Sequence, residues 1–246
     1  MLFLPLWAVF FLATPDASAC SCAQPAIRVT PRPGDIAPRN THVWVEVPPE
    51  LADAPLVLRG PGAGSADLRR YGSADVKIIE LTPRAPLAAR ARYEVLLGTE
   101  IVGEIAIGDV VDDKPPTWDG LQTGDVSPGL VTGCGAGEPF IVLGLGKRND
   151  DATPTAALRY GIWTGETGKA LDYDKPPVTV VSAWGDRLSL GHESRCSPAN
   201  LELPASLAIG VRVLDLAGNP GPPSEADITV SATKTAPPRS QTPEKK

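Results

Sequence analysis

In the run THVWVEV, Val43, Val45 and Val47 alternate with His42, Trp44 and Glu46. A two-residue period of this kind predicts a β-strand with one buried and one polar face. Further short apolar runs at 56–59, 76–81, 92–97 and 101–107 are separated by PGAGS, by TPRAPLAAR and by a Gly98-Thr99 turn. Runs of that length, bounded by turn residues, predict about five to seven strands in the first ~85 residues of folded chain. Beyond residue 118 the pattern repeats, with strands expected at 139–145, 158–163, 178–183, 187–190, 206–214 and 226–231. In the 206–214 strand Ile209, Val211 and Val213 share the inward face, and Ile228 with Val230 marks the return strand. The one helical turn expected lies at 67–70, where Ser65 is placed to cap it.

Composition moves the reading the same way. The chain has 246 residues with 24 Gly and 27 Pro, residues that interrupt helices and punctuate strands. An all-β fold of two tandem sandwiches is therefore expected, at 24–108 and 118–231. Between them the segment GDVVDDKPPTW carries tandem prolines, which favour a stiff extended path and cannot serve a sheet ladder, so 109–117 reads as a linker. The polar, proline-rich end at 232–246 has no apolar period and is expected to be a disordered tail.

The beginning of the chain carries an address. An apolar run from Leu2 to Ala13 is too short for the roughly 20 residues a bilayer span needs, and it is followed by Ala17-Ser18-Ala19. This predicts a signal peptide at 1–19 and an exported product: secreted, periplasmic or on the cell surface. No transmembrane span is expected in the remaining 227 residues. Loss of Asp16 with the leader leaves 23 basic against 28 acidic residues, a net charge of −5. Such a chain lacks the basic face that binding nucleic acid requires.

Four cysteines, Cys20, Cys22, Cys134 and Cys196, enter an oxidising compartment. Cys134 and Cys196 both fall on turn-like segments of the second half and are expected to form a disulfide; Cys20 and Cys22 complete an even set of four that can all pair, with their own pairing left open. A zinc site from Cys134, Cys196 and His192 lacks the paired C-x-x-C spacing and competes with disulfide chemistry. Cys20 has two readings: a plain mature amino terminus, or the lipidation site of a bacterial lipoprotein, with Ala17 standing where such signals usually carry Leu.

Several stretches are similar to known families. Pro31-Arg32-Pro33-Gly34 ahead of Asn40 and the Val-rich strand, followed by Leu81-Thr82-Pro83, Leu87 and Tyr93-Glu94-Val95, resembles bacterial Ig-like domains first associated with surface-layer proteins. The likeness spans about residues 25–107 and departs at Val47-Pro48, where those domains carry Phe or Phe-Ser. The stretch from Val211 to Ser224, with Asp215-Leu216-Ala217-Gly218-Asn219 at its centre, resembles the end of fibronectin type III and related Ig-like repeats. Both resemblances imply sandwiches that bind or display and do not catalyse. Cys-Ser-Cys-Ala-Gln-Pro at 20–25 resembles the start of tissue inhibitors of metalloproteinases, which implies chelation of a protease zinc by the terminal amine and carbonyl.

The remaining chemistry is sparse. His42 alternates on a strand and His192 sits in the turn GHESRC, where His192, Glu193 and Ser194 point apart on an extended chain. Gly144-Leu145-Gly146-Lys147-Arg148 lacks the spacing and the Ser or Thr of a phosphate loop. No catalytic set and no obligatory cofactor is expected. For a hard cation such as calcium, Asp109, Asp112 and Asp113 could meet Asp215 or the Asn149-Asp150-Asp151 loop where the sandwiches join; Asp112, Asp113 and Asp215 are the ligands named. The alternative is that Asp215 caps its own hairpin and the others are solvated. Residues 146–175 exceed a minimal sandwich and are expected to project as a loop carrying Trp163 and Tyr173 for binding. The expected function is non-catalytic binding or structural display at the cell envelope, toward a protein or a cell-surface polysaccharide. The alternatives are a protease inhibitor and an accessory or degenerate hydrolase.

Overall fold

Alternation decides the layers. A computed structural model describes residues 26–73, 75–132, 135–193 and 199–230. The first half contains β1 (Arg28–Thr30), β2 (Ile36–Ala37), β3 (Val43–Val47), β4 (Leu56–Arg59), β5 (Ala66–Gly72), β6 (Lys77–Pro83), β7 (Arg92–Leu97) and β8 (Glu100–Ile107). They form two four-stranded sheets, ordered β1-β3-β6-β5 and β2-β8-β7-β4. Pairing is antiparallel except between β2 and β8. Val43, Val45, Ile79 and Leu81 from one sheet and Leu56, Tyr93, Val95 and Ile105 from the other fill a common core.

The second half contains β9 (Thr117–Trp118), β10 (Leu121–Ser127), β11 (Val131–Thr132), β12 (Gly135–Ala136), β13 (Phe140–Leu145), β14 (Arg148–Asn149), β15 (Arg159–Gly165), β16 (Thr179–Ser182), β17 (Arg187–Gly191), β18 (Ser206–Leu214) and β19 (Ser224–Thr229). A three-stranded sheet, β10-β13-β17, shares a core with a four-stranded one, β16-β15-β18-β19, and β9-β14 and β11-β12 are short accessory pairs. Ile209, Val211 and Val213 are fully buried and Ile228 nearly so. The fold is nearly all-β; the only helices among the described residues are single 3-10 turns at Pro49–Leu51 and Thr155–Ala157. None is long and apolar enough to cross a membrane.

Besides several strands of two or three residues, β5 and β10 form where the sequence pattern placed no strand. The expected helical turn at 67–70 is strand β5, because its backbone pairs with β6 over seven residues and that ladder outweighs weak local propensity. Strand β10 gave no apolar signal: it is polar and mostly exposed, and its Gly124 lies where a side chain would press on Ile228 and Leu143. The segment expected to be a signal peptide, Cys20, Cys22, Cys134, Cys196, Ser194 and the 232–246 segment lie outside the described residues.

Tyr93 ties the first core to its loops. It is fully buried, and its hydroxyl donates to the Pro61 carbonyl at 2.5 Å and accepts from the Ala88 amide at 2.9 Å. Removing only that oxygen leaves two backbone groups short of a partner. Tyr93→Phe should lower unfolding stability by about 2 kcal/mol, read as a reduced urea midpoint with an unchanged denaturant slope; an unchanged midpoint would show that water replaces the hydroxyl.

Candidate functional site at the junction

The polar face of β3 should meet water if the first half stood alone. It does not: Trp44 is 1% exposed. By the same alternation, β6 turns Ile78, Glu80 and Thr82 outward and β5 turns Arg69 and Tyr71 outward, as the registers Trp44↔Glu80 and Tyr71↔Ile78 require. The second half covers this face, and Ala157, Val180 and Leu216 join the apolar cluster that contains Trp44 and Ile78. The cover is also polar. Arg159, 3% exposed, places Nη1 3.0 Å from Glu46 Oε1 and bonds the Ser182 hydroxyl. Burial holds its guanidinium below the usual range, and Glu46 opposes that effect. The Leu216 carbonyl accepts from the His42 amide at 2.7 Å and the Thr41 hydroxyl at 3.0 Å. At the sheet edge, Gly72 N donates to Val178 O at 3.2 Å, and Asp75 accepts from Ala199 N at 3.1 Å.

A cleft of about 310 Å³ opens beside this contact, lined by His42, Tyr71, Glu80, Trp163, Tyr173 and Arg212 among others. His42 Nδ1 lies 2.7 Å from Glu80 Oε1, and the Tyr71 hydroxyl donates to the other carboxylate oxygen at 3.4 Å. Burial and the Glu80 charge both raise the Tyr71 hydroxyl above its ordinary pKa. Trp163 and Tyr173 come together with ring centroids 5.2 Å apart, but Trp163 lies on β15 and is buried, donating Nε1–H to Lys175 O at 2.8 Å. It thus fastens the loop after β15 to the sheet. The Arg212 guanidinium stacks 4.6 Å from the Tyr173 ring, whose hydroxyl donates to Glu225 at 2.9 Å. His192 lies at a separate cleft, beside Asp75 and Glu202.

Across the turn from Asp215 to Asn219, the junction changes character. Gly218 lines the cleft with φ +82°, and a Cβ there would stand 2.3 Å from the His42 ring. A side chain at this position would meet both strain and a clash. Asp215, at the other end of the turn, is fully buried, and its carboxylate accepts from the Asn219 amide and from Asn219 Nδ2, both at 2.8 Å. Asp112, Asp150 and Asp215 bring carboxylate oxygens within 4.8 Å of one another. Of the three acids named from sequence, the structure joins Asp112 and Asp215, adds Asp150, and leaves Asp113 exposed outside the cluster. Asn40 makes that choice by clamping Asp112 from both sides: its Oδ1 accepts from Asp112 N at 2.9 Å and its Nδ2 donates to Asp112 O at 2.7 Å. The 109–117 segment is therefore fixed to the first half at Asp112, while its later part bonds the second half through Lys114 to Asp151 and Thr117 to Asn149, and Asn219 Nδ2 reaches the same Asp112 carbonyl from the second half at 3.1 Å.

Burial pushes the Asp215 carboxyl up to about 6, against the hydrogen bonds from Asn219 that pull it down. Asp112 is raised for the same first reason, reinforced by the charges of Asp150, Asp151 and Asp113. What the sequence reading missed is Trp184, 91% exposed in the turn that carries the chain from β16 to β17 and is closed by a bridge between Trp184 and Arg187, where the neighbouring Gly185-Asp186 was the only turn signal.

Two measurements check this junction. Glu46→Ala strands the buried Arg159 charge and should cost about 3 kcal/mol in chemical denaturation; a loss under about 0.5 kcal/mol would show that the guanidinium is solvated. In metal-free buffer, the folded state holds a proton on Asp215 between about pH 4 and 6 that the unfolded chain has released. The stability from that neutral acid is present near pH 4 and is lost as pH rises through 6. The wild type should lose more stability than Asp215→Asn on going from pH 5 to pH 7.5, and parallel pH profiles would contradict the shift. Compared with known proteins, this sequence matches no family model and no curated protein.

Proposed function

We propose that this is an exported, non-catalytic protein for binding or structural display at the cell envelope, built of an Ig-like sandwich at 24–108 and a fibronectin type III-like sandwich at 118–231. Strand order supports the fold assignment. Lettered by position, β1-β3-β6-β5 corresponds to A-B-E-D and β8-β7-β4 to G-F-C, the arrangement of Ig constant-type sheets, with β2 added beside G. The Tyr93 hydroxyl reaching back to Ala88 from the start of the F strand matches the tyrosine corner of that architecture. In the second half the three-plus-four division and the long β18–β19 hairpin agree with the resemblance of residues 211–224.

The observation that carries the functional reading is the junction itself. A shared apolar cluster, the buried Arg159 paired with Glu46 and the doubly clamped Asp112 hold the two halves in one orientation. Fixed orientation is what a protein needs to present surfaces at a set spacing. Ring faces and paired charges lining the junction cleft suit a polysaccharide or a protein loop. Export, with cleavage before Cys20, follows from the leader.

A Cys134–Cys196 disulfide belongs to the same reading. Leu130 N donates to Glu193 O at 2.8 Å and Glu138 N to His192 O at 3.2 Å, so the segments flanking the two cysteines run side by side. Closing that loop would stabilise the fold by about 4 kcal/mol in the chain-entropy treatment.

Cell fractionation combined with intact mass tests the proposal. The expected result is recovery with the envelope and a mass for a chain beginning at Cys20, carrying either disulfides or a lipid on Cys20. An intact leader in a cytoplasmic fraction would overturn it. Hydrolysis that is lost in His42→Ala would also overturn it, because the His42–Glu80 pair would then be catalytic.

A further inference from the structure

We propose that Asp112, Asp150 and Asp215 bind one calcium ion at the junction of the two halves. The cluster draws one carboxylate from the segment between the halves, one from the loop after β14 and one from the turn after β18. Each is oriented by the backbone. Asp150 Oδ1 accepts from Ala152 N at 2.9 Å and Thr153 N at 2.6 Å, Asp215 is held by Asn219, and Asp112 Oδ1 accepts from Lys114 N at 3.2 Å.

The second carboxylate oxygen of Asp112 points to a ligand. Asp112 is 4% exposed, and its Oδ2 has no hydrogen-bond partner among the described residues. A buried carboxylate oxygen without a donor is costly. It is also unneutralised: the nearby Lys114 ammonium is committed to Asp151, at 2.7 Å, and none of the three clustered acids forms an ion pair among the described residues. Three oxygen donors with no histidine or cysteine exclude the preferences of zinc or copper and match a hard cation. Between the hard cations, calcium accepts irregular geometry and six to eight oxygens, with water completing the shell, whereas magnesium demands a near-ideal octahedron. Three carboxylates with water completing the shell suit a site of modest affinity, with a dissociation constant of about 10⁻⁴–10⁻³ M.

The ion would join both halves. Asp112 is bonded through its backbone to Asn40 of the first half, while Asp150 and Asp215 belong to the second. The site does not depend on the envelope reading: loss of calcium binding would leave that reading standing, and a different cellular location would leave the site standing.

The test uses the purified full protein stripped with EDTA at pH 7.5 and titrated with calcium chloride at constant ionic strength. Melting temperature should rise saturably, by about 3–6 °C at ten times the dissociation constant, and calorimetric titration should show one ion per chain. Asp150→Asn keeps the Oδ1 that accepts from Ala152 and Thr153, so it should fold yet bind calcium at least ~10-fold more weakly, in the range seen when a ligand's supporting interactions are lost. Asp113→Asn, outside the cluster, should bind as the wild type does. The proposal fails if the wild type shows neither heat of binding nor a melting shift, if magnesium chloride gives an equal shift, or if Asp150→Asn binds unchanged.

Discussion

The pairing of the buried Arg159 with the partly exposed Glu46 is the constraint around which the rest of the structure is arranged. A guanidinium removed from water is costly, and attraction to a single carboxylate rarely repays the full cost. Arg159 nevertheless sits at the start of β15, against the face of β3 that alternation marks as polar. The surrounding apolar contacts make this tolerable. Trp44 and Ile78 on one side and Ala157, Val180 and Leu216 on the other exclude solvent and bury more hydrophobic surface than either half could alone. The pair then works with the Thr41 and His42 bonds to the Leu216 carbonyl and the clamped Asp112 to hold one orientation.

The same face explains what sequence could and could not reveal. Inward positions were legible: Val43, Val45, Val47, Ile209, Val211 and Val213 alternate and are buried. The opposite face of β3 was read as polar because His42, Trp44 and Glu46 look like a solvated row, and only a partner from more than 100 residues away changes that. Strand β10 was invisible for a related reason. At a sheet edge with a glycine in the middle, hydrogen bonding to β13 and close approach of Ile228 define the strand, and neither leaves an apolar repeat.

The acidic cluster was half legible. Its location at the junction followed from acids flanking the tandem prolines and the Asp215 turn. Which acids meet was set by backbone bonding that composition does not encode: neighbours on an extended segment point apart, so Asn40 clamping Asp112 sends Asp113 to solvent. The aromatic pair went the same way. Trp163 and Tyr173 do meet, but Trp163 works beneath the surface, anchoring a loop, while the 91% exposed Trp184 sits in the turn between β16 and β17.

The bond from the Thr41 hydroxyl to the Leu216 carbonyl joins residues 175 positions apart. Closing a loop of that size costs entropy before any contact rewards it, so this part of the structure forms late. As the chain emerges, the first half can assemble its inner core while Trp44 and Ile78 remain uncovered, a sticky surface awaiting residues not yet delivered. The buried junction thus sets an order of events, in which the amino-terminal half completes its own packing only after the carboxy-terminal strands have arrived to cover it.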